Sequence, residues 1–171
     1  NNVLQGKATP HADNVAPYEL IRPYMTWNWN GPSLETMSKS EKDALNASWA
    51  SLLDFCSDED MLAVVDTSGS MHSSYGLPAA VALSLGLYLA EHNKGRFRNH
   101  FIEFSARPQL IEMKGKTFVD KLRYIMTFNE IADTNLESVF DLILHTAMEN
   151  HMSQEEMPSK LVIISDMEFN C

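Results

Sequence analysis

The chain has 171 residues, 44% hydrophobic and 21% charged, with seven Gly and seven Pro; that is apolar material for one globular domain, and it excludes a collagenous, low-complexity or compositionally disordered chain. Thirteen basic against 23 acidic residues give a formal net charge of -10, which repels phosphate backbones and leaves nucleic-acid binding to a local basic patch at most. The two cysteines, Cys56 and Cys171, make no disulfide framework, so a reducing, cytoplasmic setting is expected. No uninterrupted run of about 18 apolar residues offers a membrane span, and no membrane partner is expected.

The chain starts at Asn1 with neither an initiator Met nor a leader pattern, so the natural start is expected upstream. Residues 1–37 read as an irregular arm with Pro10, Pro17, Pro23 and Pro32. Pro17 can open a short helix that Pro23 should end within two turns. Trp27 and Trp29 are aromatic anchors expected to lie buried against the domain body. Residues 38–57 read as a preceding helix from about Glu41 to Phe55. Ser40 is its expected N-cap, and Leu45, Trp49, Leu52 and Leu53 share one face.

From residue 58 the pattern alternates between β and α. Met61–Val65 is a short continuous apolar run, the mark of a buried central strand. A polar loop and then a helix from about Leu77 to Glu91 follow, the helix apolar almost all round and so expected to pack on several sides. His100–Phe104 and Gln109–Met113 read as a hairpin. Thr117–Phe128 reads as a helix. A further helix begins near Thr134 with the stripe Leu136, Val139, Phe140, Ile143, Leu144, Ala147 and Met148. Lys160–Ser165 reads as a second buried strand. The fold class is therefore α/β, with an open, Rossmann-like, mostly parallel sheet over 58–171, an antiparallel edge hairpin and helices on both faces. Such a sheet usually continues, so further chain is expected after Cys171.

The segment that carries chemistry is Asp66-Thr67-Ser68-Gly69-Ser70-Met71, directly after the first buried strand. In open parallel sheets, ligands sit at the carboxyl ends of the strands. Alternate residues of an extended loop point the same way, so Asp66, Ser68 and Ser70 can converge. Oxygen donors of mixed charge suit a hard cation, Mg²⁺ (or Mn²⁺ or Ca²⁺), rather than zinc. Asp166 ends the second buried strand, and if the two strands are adjacent and parallel it emerges on the same edge as Asp66, about 4.8 Å away. Thr134 opens the striped helix and can present a hydroxyl from a third loop. Each has a plainer reading: Ser68 and Ser70 as turn residues, Thr134 as the cap of the box Thr134-Asn135-Leu136-Glu137, Asp166 as a strand-end acid. His72, Glu168 and the ten Met are assigned no site role.

The strand with its Asp66-Thr67-Ser68-Gly69-Ser70 loop resembles the DxSxS element of a von Willebrand factor A domain, whose members hold a metal ion-dependent adhesion site. By that resemblance Asp66, Ser68 and Ser70 are the first-loop ligands, Thr134 the second-loop ligand and Asp166 the third-loop acid. Gly86-Leu87, Phe101–Ser105, Val139–Leu144 and Ser165–Phe169 are further similar to a little-characterised family of plants, viruses and phages. Its A domain is related to that of the Ro ribonucleoproteins. Ala16–Ile21 resembles the short segment that this family places before the A domain.

The resemblance implies a non-catalytic, cation-dependent module that binds a protein partner through an acidic residue of that partner. A component of a Ro-like ribonucleoprotein is the alternative, with RNA held by regions outside this chain. A Mg²⁺-dependent phosphotransfer enzyme is a third reading. It is disfavoured because Ser68 stands where a second acid is needed and no lysine lies in a comparable loop.

Overall fold

The computed structural model describes residues 15–25, 32–56, 59–105, 107–128 and 135–167. In chain order these form α1 (Pro17–Met25), α2 (Lys39–Ala50), β1 (Met61–Asp66), α3 (Ser73–His92), β2 (His100–Phe104), β3 (Gln109–Glu112), α4 (Phe118–Ile125), α5 (Leu136–Glu149) and β4 (Lys160–Ile164). The strands make one sheet in the order β3-β2-β1-β4. β1 pairs in parallel with β2 and β4, and β2 pairs antiparallel with β3. This is the mixed α/β, mostly parallel arrangement that the alternating pattern predicts, and it is compatible with a Rossmann-like fold. Trp27, Trp29, Thr134 and Glu168 lie outside the described residues.

The side-chain alternation of β1 sorts the core into two layers. Ala63 and Val65 pack with α1, α2, α3 and α4, through Ile21, Leu45, Trp49, Leu83, Leu87 and Leu122 among others. Leu62 and Val64 pack instead with Ile102, Phe104 and the α5 residues Val139 and Ile143. A strand buried on both faces has no reason to alternate polar and apolar, which is why its sequence is a continuous apolar run. β4 departs from expectation. It reads as equally buried, but Leu161 to Ile164 are only half-buried, because β4 is the sheet edge among the described residues.

Helix boundaries move for identifiable reasons. α2 is capped by Ser38, not Ser40: Ser38 Oγ accepts from the Glu41 amide, and the Glu41 carboxylate accepts from the Ser38 amide at 2.7 Å. The helix stops at Ala50, leaving Leu52 half-buried and Leu53 exposed. α1 continues through Pro23 to Met25. Proline there forfeits one i→i−4 bond, and Glu19, whose carbonyl loses it, is exposed. The arm is also more than an arm, since Ile21 of α1 is fully buried. The stripe of α5 splits lengthwise: Val139, Ile143 and Ala147 are buried, while Phe140, Leu144 and Met148 are exposed.

α3 is the core helix. Ser74, Tyr75 and Gly76 at its start are left-handed, with φ of 51°, 59° and 72°, so the regular helix begins at Leu77, with Pro78 in its first turn, where a missing N–H costs nothing. Its buried residues, from Ala79 to Ala90, occupy several sides of the helix. With the preceding turn, α3 is long and apolar enough to cross a bilayer, at a mean hydropathy of 1.3; counting uninterrupted apolar residues misses this. More than half of that stretch is buried inside the protein, and core packing accounts for its composition. Gly86 lets α3 approach β1: a Cβ at that position would lie 2.3 Å from Val65 Cγ2.

Candidate functional site at the carboxyl edge of the sheet

β1 delivers Asp66 and Thr67 to the edge where the parallel strands end, and both are buried, at 1% and 2% exposure. Consecutive residues point to opposite faces, and each of these two is caught by a different neighbouring strand. Asp66 lies on the α5 side. The β1–β4 register pairs Val65 with Ile164, so the next residues along are Asp66 and Ser165, and Ser165 Oγ donates to Asp66 Oδ2 at 2.6 Å. Thr67 lies on the α3 side, where its hydroxyl donates to Glu103 Oε1 of β2 at 2.7 Å.

The loop then turns rather than extending. Gly69–His72 is a 3-10 turn, so Ser68 and Ser70 approach through the turn and not through the alternation of an extended segment. Their hydroxyl oxygens are 3.1 Å apart, and the Ser68 amide donates to Asp66 Oδ1 at 2.9 Å. Asp66, Ser68 and Ser70 are thus brought together, with Ser165 as a fourth oxygen.

Asp166 follows Ser165 and is exposed at the same edge. A helix leading back into the start of a parallel strand runs antiparallel to it, which brings the start of α5 to this edge on the Asp66 side. Asn135 is the cap of α5, its side chain accepting from the Ser138 amide at 3.1 Å. The cap of α5 is therefore Asn135, and Thr134, expected as a metal ligand with capping as its plainer reading, lies outside the described residues.

Sequence reasoning missed Ser165, Thr67 and Glu103. Glu103 did carry a signal, being a lone acid in an otherwise apolar strand. Ser165 becomes visible only once β4 is aligned beside β1.

The Asp66 carboxylate is buried and receives an amide and a hydroxyl, and among the described residues no lysine, arginine or histidine forms an ion pair with it. A buried carboxylate without a cationic partner is costly. One carboxylate beside several hydroxyls is the donor chemistry of a hard cation. Asp66, Ser68 and Ser70 offer oxygen donors, not the nitrogen and sulfur donors that select zinc, and among the described residues no three His, Cys, Asp or Glu side chains group as metal ligands.

Residues 60–171 match the model of a family described as a domain of unknown function, DUF7788. The chain belongs to that family. The matched span begins just before β1, so the DUF7788 domain takes in the whole sheet and both loops of the candidate site. The chain is also similar to an uncharacterized protein, L728, of Acanthamoeba polyphaga mimivirus, 30% identical over 169 residues. That similarity covers 99% of this chain and 28% of the viral protein, so the chain spans little more than a quarter of that relative's length. It also takes in α1 and α2, which precede the DUF7788 match. No solved structure matches the chain.

Proposed function

We propose that the chain is a divalent-cation-dependent protein-binding module of the von Willebrand A kind, with Asp66, Ser68 and Ser70 as direct ligands. The observation that carries this reading is the buried Asp66 carboxylate, which sits beside two hydroxyls at the end of the central strand with no cationic side chain among the described residues paired to it. Thr134 and Asp166 join the ligand set on the strength of the resemblance alone. The bound cation, Mg²⁺ or Mn²⁺, supplies a Lewis-acidic position that an acidic residue of a partner protein can complete.

The chain's own residues do the rest. Asp66 provides the fixed charge, Ser68 and Ser70 provide neutral oxygens, and Ser165 orients the Asp66 carboxylate by hydrogen bonding to its second oxygen. The resemblance implies a non-catalytic module, in which these oxygens hold the cation and no bond is made or broken. With a net charge of -10, the protein repels an acidic partner at long range, so the cation carries much of the local attraction.

Calorimetric titration with Mg²⁺ and Mn²⁺ tests the site. Wild type should bind one ion, and Asp66→Ala should abolish the binding by removing the charged ligand. An Asp66→Ala titration curve that matches wild type refutes the ligand assignment.

A further inference from the structure

The loop of the candidate site is held at two adjacent points, on opposite faces of the sheet and by different strands. On one face Ser165 of the β4 edge holds Asp66; on the other Glu103 of β2 holds Thr67. Beyond Thr67 the next buried side chain of the loop is Met71, which packs into the core after both serines. Gly69 is exposed, Ser68 and Ser70 are half-buried and bond each other, and the chain then passes into the left-handed Ser74–Gly76 segment. Thr67 is therefore the last fully buried residue before the two serine hydroxyls.

Glu103 is itself buried, at 3% exposure, in a strand whose other central residues, Phe101, Ile102 and Phe104, are apolar and buried. A carboxylate in such surroundings costs more than a neutral residue of the same size would. Its register partner on β1 is Val65, whose side chain cannot satisfy it. The polar group that reaches it from the loop is the Thr67 hydroxyl.

We propose that Glu103 is a positioning residue for the cation site. It acts through Thr67, and the Thr67–Glu103 hydrogen bond fixes the direction in which Asp66 and Ser68 leave β1. This rests on the cation site proposed above. Groups that hydrogen-bond the residues around a metal's ligands, rather than the metal, typically change its affinity about 10- to 100-fold when removed.

The test separates positioning from simple support of the fold. In Thr67→Val/Glu103→Met both polar partners become apolar groups of similar size, a change that can leave stability unaltered or raised. Its melting temperature without cation should stay near that of wild type, while Mn²⁺ affinity, read by calorimetry, falls about 10- to 100-fold. Thr67→Ser keeps the hydroxyl and should retain affinity within about 3-fold, which also covers the case in which the double variant fails to fold. Equal Mn²⁺ affinity in wild type and the double variant overturns the positioning role and leaves the site standing. Loss of affinity in Thr67→Ser as large as in the double variant overturns it too, since the methyl and not the hydroxyl would then matter. Absence of Mn²⁺ binding by wild type overturns the site itself, and the positioning role with it.

Discussion

Gly86 is a position where one added carbon has no room. Its missing Cβ leaves room for Val65 Cγ2, which a methyl would meet at 2.3 Å, and a valine on a central strand has no flexible end to swing aside. Overpacking of this kind costs about 1–3 kcal/mol, against which alanine regains up to about 1 kcal/mol of helix propensity. Gly86→Ala should therefore lower the unfolding free energy in a urea titration, and an unchanged or raised midpoint would show that α3 can back away from the sheet. Individual residues were unevenly legible. Asp66, Ser68 and Ser70 stand out because three oxygen donors follow an apolar run at once. Ser165 and Glu103 do not, because their partners are 99 and 36 residues away, and no local pattern encodes which strand lies beside which.

Elements were legible where periodicity decides them and misread where capping does. All four strands and the hairpin follow from apolar runs and their breaks. The start of α2 does not, since Ser38 and Ser40 are both plausible caps and only the Glu41 carboxylate selects Ser38. The same device starts α4, where the Asp120 carboxylate accepts from the Thr117 amide at 3.1 Å. Hydrogen bonds from Ser38 hold the Glu41 carboxyl below its ordinary range, and those from Thr117 do the same for Asp120. A carboxyl whose pKa is depressed on folding contributes stability above its unfolded value, near pH 4, and loses it as pH falls through the lower folded value. Amide exchange on acidification should show the first turns of α2 and α4 opening before the β1 amides do. Simultaneous loss of protection in all three would mean that the boxes contribute nothing local. Trp49 near the end of α2 stacks on Phe118 at the start of α4, with centroids 4.1 Å apart, and donates to Glu91 at 2.8 Å, while Lys121 in the first turn of α4 also binds Glu91 at 2.6 Å. α2 and α4 are thus joined to each other and to α3, which makes α2 part of the α/β body and not a separate preface to it.

Across the whole molecule, the proposed cation site predicts a linkage. An ion that binds the folded chain and not the unfolded one stabilises it by about 2.7 kcal/mol at a hundredfold excess over its dissociation constant. For a chain of this size that corresponds to a rise of roughly 5–10 °C in melting temperature. Saturating Mg²⁺ or Mn²⁺ should produce the rise and a chelator should reverse it; a midpoint indifferent to both counts against an ordered site. The layered α/β architecture was legible as a whole because each strand and helix announces its own period. What was not legible is that β4 is the edge among the described strands, and that the apolar stripe of α5 leaves Phe140, Leu144 and Met148 exposed. Both depend on what lies beside an element, which its own sequence does not record.

The sheet order also sets a timetable. β1 lies between β2, its nearer neighbour in the chain, and β4, whose paired residues are 99 positions away in sequence (Met61 with Lys160). Closing so long a loop costs entropy that nothing returns until the strand has docked. β2 and β3 can pair early through a short turn, whereas β4 is the last of the described strands and the more distant partner of β1. The loop after β1 can thus gain its Glu103 contact from the first half of the sheet, but the Ser165 contact waits for β4. The Asp66 carboxylate spends the earlier part of folding without that hydroxyl and acquires it only when β4 docks, so this contact of the site forms after the pairing of β1 with β2.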